Sequence, residues 1–137
     1  MSYLLDTNII SELVKRRKNA GVLDWFAATR SVDHYLSVLT VGELLRGVHR
    51  LRNRGDHRQA DVLERAMTEL RAEFAERIVP VAPDVAQEWA LQPLSRSIPV
   101  VDALIGATAR ARGWTLVTRN TKDFDHVGVR LLNPFTS

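Results

Sequence analysis

Four carboxylates stand in apolar or small-residue surroundings: Asp6 in YLLDTNIISEL, Glu43 in SVLTVGELLRG, Asp102 in IPVVDALIGATA and Asp123 in TLVTRNTKDF. Acids so far apart along a chain act together only where a fold gathers them at one edge of a sheet. Once gathered they repel one another: two unit charges about 4 Å apart cost roughly 4 kcal/mol at an effective dielectric of 20. A hard divalent cation with oxygen ligands offsets that cost. The chemistry such a centre supports is metal-assisted hydrolysis of a phosphodiester.

Each acid also has a plainer role. Asp6 can cap a helix, and Asp123 can close a turn in the polar loop Thr118-Arg119-Asn120-Thr121-Lys122. Glu43 can pair on the surface with Arg46 or Arg50, although Thr40 and Gly47 on its helical face suggest close approach by backbone or ligand. Asp102 is harder to explain away. A helix dipole favours a first-turn acid by about 0.3–1 kcal/mol, but that does not account for apolar residues on both sides. Thr118 and Asn120 can orient a ligand or a water, or only close the turn.

The elements that must position these groups follow from the pattern. Tyr3–Leu5 reads as a strand ending at Asp6, and Ile9, Ile10, Leu13 and Val14 then recur at helical spacing. A helix is expected over Val22–Ala28. A strand over Tyr35–Leu39 follows, then a helix capped by Thr40 with Val41, Leu44, Leu45, Val48 and Leu51 inward. A polar turn at Arg50–Gly55 precedes a long charged helix over His57–Glu76. A strand at Ile78–Val81 and a helix at Asp84–Leu91 come next. A helix over Val101–Arg112 stops at Gly113, and strands at Thr115–Val117 and Val129–Leu132 close the chain. Strands alternating with helices predict an α/β fold with a parallel sheet covered on both faces. Ligands in such sheets gather at the carboxyl ends of the strands, where Asp6 and the Thr118–Asp123 segment fall.

The 137 residues, 45% hydrophobic and 26% charged, suit one domain over 1–137 with a real core. The absence of cysteine excludes disulfides, thiolate zinc sites and a cysteine nucleophile, and suits a reducing cytoplasm. No apolar run approaches the roughly 20 residues that span a bilayer, and the N-terminus does not read as a signal peptide. The net charge of +3 is unevenly spread, with one basic run at Lys15, Arg16, Arg17 and Lys18. A second holds Arg46, Arg50, Arg52, Arg54 and Arg58. Two such runs beside candidate acidic ligands point to a phosphate-rich partner such as nucleic acid, with Lys15, Arg16, Arg46 and Arg50 the residues expected to meet its phosphates.

The four segments, in order, resemble the PIN domain, and within it the VapC-type toxins of bacterial and archaeal toxin–antitoxin pairs. Asp6-Thr7-Asn8 followed by Leu13 is similar to the family's opening motif. Ser37, Thr40, Glu43, Leu44 and Gly47 resemble its S-x-x-T-x-x-E-L-x-x-G stretch. Asp102, Ala103, Ile105, Ala107, Thr108 and Ala109 resemble its D-A-x-I-A-A-T-A helix, with Gly106 replacing a usual alanine. Thr118, Asn120, Asp123 and Phe124 resemble its T-x-N-x-x-D-F segment, and DTNIISEL leans towards the FitB-like subgroup. The resemblance implies a five-stranded parallel sheet in an α/β/α sandwich and endoribonuclease activity dependent on Mg²⁺ or Mn²⁺. Asp6, Glu43, Asp102 and Asp123 take the acidic, metal-holding roles, with Asn8, Thr118 and Asn120 in support. It also implies a homodimer and a cognate antitoxin whose tail blocks the acidic groove and whose other end binds DNA.

Water attacking in line would leave a 5′-phosphate and a 3′-hydroxyl. The four histidines have no paired spacing, so a histidine ribonuclease is not expected. Trp25, Trp89 and Trp114 are expected to pack rather than to stack on bases. An aspartyl-phosphate phosphatase also starts from a strand-end Asp, but its second Asp is replaced here by Asn8. The remaining alternative is a non-catalytic RNA- or partner-binding module of the same fold, against which the complete acidic set argues.

Overall fold

The computed structural model describes residues 1–136. Five short strands, β1 (Tyr3–Leu5), β2 (His34–Ser37), β3 (Ile78–Val79), β4 (Thr115–Val117) and β5 (Leu131–Leu132), form one sheet in the order β3-β2-β1-β4-β5. Every pairing is parallel, with Leu4 opposite both Tyr35 and Leu116. Six helices connect them: α1 (Thr7–Leu13), α2 (Ala20–Ala28), α3 (Val38–Asn53), α4 (His57–Glu73), α5 (Pro83–Ala90) and α6 (Val100–Arg112). The expected three-layer α/β/α sandwich with a five-stranded parallel sheet is the architecture found.

Neighbouring residues of a strand point to opposite faces, and this sorts the core into two clusters. Leu5, Leu36 and Val117 pack with Ile9, Ile10, Val22, Val41, Leu44, Met67, Leu70 and Phe74, so α1 to α4 cover one face. Leu4 and Leu116 pack with Val79, Ile105, Ala109, Phe124 and Val127, so α6, with α5 packed along it, covers the other. Strands only two to four residues long are stable here because both faces are buried. Trp25 meets Tyr3 edge-on and stacks against His34, and Trp114 stacks on Tyr35 with ring centroids 4.1 Å apart. Trp89 stays largely exposed.

The boundaries differ from the sequence reading where capping competes with strand propensity. β2 stops at Ser37, whose hydroxyl accepts the Leu39 N–H at 3.0 Å, so Ser37 and not Thr40 caps α3. Val38 and Leu39 read as strand residues but form the first turn of that helix, and Thr40 lies buried within it. The Arg50–Gly55 turn is also later than expected, since α3 continues to Asn53 and the chain reverses at Gly55, φ +85°. α4 ends at Glu73, three residues early, and β3 and β5 are shorter than read.

Two glycines in and around α6 have distinct roles. Gly106 lies in a tight spot: a Cβ there would lie 3.1 Å from Val127 Cγ2 and 3.2 Å from Phe124 Cδ1, so those side chains would have to give by a few tenths of an ångström. Gly113 ends the helix in the left-handed region at φ +68°, with open space where a Cβ would sit. Gly113→Ala should therefore act through backbone strain alone, at a cost of roughly 1–2 kcal/mol. The expected result is a lower urea midpoint with an unchanged denaturant slope; an unaltered midpoint would contradict it.

Candidate active site

β1 and β4 lie side by side, yet the chain leaves β1 towards β2 and leaves β4 towards β5. This reversal opens a crevice at the carboxyl ends of the two strands. Asp6 follows β1 and Thr118 follows β4, and the Asp6 N–H donates to Val117 O at 2.9 Å. Both residues are buried, Asp6 to 3% exposure and Thr118 completely.

Three donors fix the Asp6 carboxylate. Oδ1 accepts the Thr7 N–H at 2.8 Å, the helix-cap contact expected from the sequence. Oδ2 accepts the Thr118 hydroxyl at 2.8 Å and Asn8 Nδ2 at 3.3 Å. Thr118 Oγ1 itself accepts Asn8 Nδ2 at 3.2 Å and the Asn120 N–H at 3.1 Å, which directs its own proton towards Asp6. The Asn8 amide oxygen accepts the Arg119 N–H at 3.1 Å, so its flip state is fixed by the network. Asn8, Thr118 and Asn120 therefore form one hydrogen-bonded unit around Asp6.

Glu43 approaches from α3. The Thr7 hydroxyl donates to its Oε1 at 2.6 Å, and because that proton is committed, the buried Thr40 hydroxyl donates to Thr7 Oγ1 at 3.0 Å. Neither Arg46 nor Arg50 forms an ion pair with Glu43 among the described residues, so the surface-pair role does not apply. Gly47 does not reflect close backbone approach either, since a Cβ there would meet only Leu63 Cδ2 at 3.7 Å. Asp102 enters from the first turn of α6, half-buried.

A pocket of about 330 Å³ is lined by Asp6, Glu43 and Asp102 together with Asn8, Asn120 and Thr7. Asp123 sits apart, exposed on the single turn Thr121–Phe124 and off the pocket wall, though its charge reaches Asp102. Burial pushes the Asp6 carboxyl up to about 6, the Asp102 and Glu43 charges adding to it against the lowering hydrogen bonds from Thr118 and Thr7. Asp102 is raised as well, by burial and then by Glu43 and Asp123. Among the described residues no three His, Asp or Glu side chains are assembled to hold a metal ion by themselves. The acids ring the pocket instead, an all-oxygen donor set with excess negative charge. That chemistry fits a hard cation that keeps part of its water shell.

A groove of about 940 Å³ between α1, α3 and α4 shares Thr7, Ser11, Lys15 and Glu43 with this pocket. Lys15, Arg16, Arg50 and Arg58 line it, whereas Arg46 is exposed outside it. Several pocket residues were not foreseen from sequence. Thr7 stands inside the DTN motif, where nothing in the sequence marks it as a partner of Glu43. Glu12 is buried, accepting the Asn19 N–H at 2.8 Å and pairing with Lys15 at 3.1 Å. Burial works against its charged form, but those contacts and the Arg119 charge hold its carboxyl below the usual range. Arg119 and Phe135 complete the wall, and Phe135 gave no sequence signal because it arrives from the far end of the chain.

A three-layer parallel α/β domain with carboxylates around a central crevice is the class that fold and site define. The PIN domain family matches residues 3–130, and the chain belongs to that family. It is 38% identical to the plasmid stability protein StbB of Pseudomonas syringae, with 96% of this chain and 97% of that one covered. It is 36% identical to the toxin FitB of Neisseria gonorrhoeae, over 96% of this chain and 97% of FitB. It is 32% identical to the VapC ribonuclease Y4jK of Sinorhizobium fredii, over 96% of each chain. The structure of FitAB bound to the IR36 DNA fragment contains a chain that superposes with a TM-score of 0.86 at 33% identity, covering 98% of this chain and 96% of that one.

The raised acids carry a pH signature. The folded state holds a proton on Asp6 that the unfolded chain releases near 3.8, so this term weakens the fold as pH rises from about 4 to about 6. In metal-free buffer Asp6→Asn should remove that decline, so its melting temperature should gain on the unmodified chain across this window. A constant difference between the two would refute the assignment.

Proposed function

We propose that this chain is the toxin of a toxin–antitoxin pair and acts as an endoribonuclease dependent on Mg²⁺ or Mn²⁺. The observation that carries the reading is the Asp6 carboxylate, oriented by three donors and opening on the same pocket as Glu43 and Asp102. Such fixing of a buried acid among other acids costs stability and makes sense for a ligand-binding group. The likeness to a toxin and to a VapC ribonuclease over almost the whole chain supports it.

Asp6 and Asp102 would hold the ion directly, Glu43 directly or through water, and Asp123 would complete a second position or orient the attacking water. Bound there, the ion supplies Lewis acidity towards water and phosphoryl oxygen. Thr118 and Asn8 keep Asp6 in one rotamer, and Thr7 does the same for Glu43, whose Oε2 has no hydrogen-bond partner among the described residues. No histidine lines the pocket, so attack by the RNA 2′-hydroxyl with histidine proton transfer has no machinery. In-line attack by water leaves a 5′-phosphate and a 3′-hydroxyl.

The basic side of the groove, with Lys15, Arg16 and Arg50, would carry the RNA backbone, while Arg46 would meet it only outside the groove. A cognate antitoxin would cover the acidic pocket, and contact with DNA would come only through it. Homodimerisation has its support in the large apolar side chains left exposed on α5, on the segment after it and at the start of α6: Trp89, Leu91, Leu94 and Val100. No helix among the described residues is long and apolar enough to cross a membrane, and the proposed site of action is the cytoplasm.

Two measurements test this. The purified chain, freed of any co-purifying partner, should cut bacterial RNA into discrete products bearing 5′-phosphates with Mg²⁺ or Mn²⁺ and not with EDTA. Asp6→Asn and Asp102→Asn should each abolish cleavage while remaining folded. Retained cleavage by both would overturn the site, and a folded chain that binds RNA without cutting it would favour the non-catalytic module. Replacing Lys15, Arg16 or Arg50 with Ala should flatten the logarithmic salt dependence of RNA binding by about 0.7 per lost phosphate contact; unchanged slopes would remove the groove from the RNA path.

A further inference from the structure

The C-terminal segment is a built wall of the acidic pocket. Asn19, the cap of α2, clamps it: its Nδ2 donates to Thr136 O at 2.9 Å and its Oδ1 accepts the Thr136 N–H at 3.1 Å. Gly21 admits the segment, since a Cβ there would fall 2.3 Å from Pro134 O. The Phe135 N–H donates to Asn133 Oδ1 at 3.0 Å, and Asn133 Nδ2 reaches Arg119 O at 3.5 Å. Phe135 is thereby held half-buried against the α1–α4 core, with its ring at the pocket.

Arg119 lies on that ring, its guanidinium carbon 4.6 Å from the centroid. Its backbone is anchored on the other side by Asn8 Oδ1. Yet among the described residues its guanidinium forms no ion pair and no hydrogen bond, although Glu12 lies near enough to feel its charge. A guanidinium seated by its face on an aromatic ring keeps its in-plane N–H donors free, and those donors match the oxygens of a phosphate. A strand of RNA entering a pocket lined by Asp6, Glu12, Glu43 and Asp102 needs a positive group beside its flanking phosphate.

We infer that Arg119, seated on Phe135, binds the RNA phosphate next to the scissile one, with Phe135 as its positioning residue. This rests on the ribonuclease reading above. It also gives the C-terminal segment a part in substrate alignment, because the Asn19 clamp on Thr136 and the Asn133 turn together hold Phe135 at the pocket.

The test uses the full chain in an Asp6→Asn background and measures binding of a short fluorescein-labelled single-stranded oligoribonucleotide across salt concentrations. Cleavage by the otherwise unmodified chain is followed in parallel. Arg119→Ala should weaken binding about tenfold and flatten the salt slope by about 0.7. Phe135→Leu, which keeps the apolar packing, should give a smaller loss of the same kind, and Phe135→Tyr should bind normally. Added to Arg119→Ala, Phe135→Leu should cost nothing more. Unchanged binding and slope in Arg119→Ala, or losses that simply add, would overturn the assignment. Absence of RNA cleavage by the unmodified chain alongside the expected binding pattern would defeat the nuclease reading and leave the phosphate seat standing. Cleavage with normal binding by Arg119→Ala would do the reverse.

Discussion

The hydrogen bond from Thr118 to Asp6 joins the ends of the two central strands at the point where the chain changes direction through the sheet. Around it the molecule must reconcile two demands. The sheet edge has to be dry enough for strands of three residues to hold together, and it has to present charged oxygens to solvent. A completely buried hydroxyl whose acceptor side is filled by Asn8 and Asn120 is a neutral way of doing both. It lets a nearly inaccessible carboxylate keep one orientation without a basic partner that would neutralise it.

The same economy appears at Glu43. Thr40 and Thr7 form a relay of hydroxyls that ends on Oε1, again with no ammonium or guanidinium involved. Lys15 and Arg119 on the pocket wall, and Arg16, Arg50 and Arg58 in the neighbouring groove, border the acids, and among the described residues none of them pairs with Glu43, Asp6 or Asp102. Self-repulsion within the pocket is therefore left standing, and it is expressed in the raised proton affinity of Asp6 and Asp102. Charge separation over a short distance would suit the polyanionic substrate proposed above, whose reacting phosphate would enter the negative site while its neighbours stay outside it.

Much of the fold was legible because strand and helix periods are clear in this chain. Tyr3–Leu5, Thr115–Val117 and the helix ending at Gly113 lie where the pattern placed them. The β2–α3 boundary was hidden because short-range hydrogen bonding by Ser37 outweighs the strand preference of Val38 and Leu39. Within the site, Asp6, Glu43 and Asp102 could be picked out because each is an acid in an apolar or small-residue setting. Thr7 and Glu12 could not, since their roles depend on partners 36 and 7 residues away. Phe135 is further still, brought in by Asn19 and Gly21 across 117 and 115 residues of sequence. Asp123 is the converse case, plain in its motif but exposed and outside the pocket wall.

Gly106 connects two of the four acids mechanically. It lies one turn beyond Asp102 on α6, and the Phe124 ring rests where its side chain would be, one residue after Asp123. The turn that carries Asp123 thus packs closely, through Phe124, on the helix that carries Asp102. An alanine at Gly106 would press on Val127 and Phe124 by a few tenths of an ångström, and any yielding of Phe124 would be felt at the neighbouring Asp123.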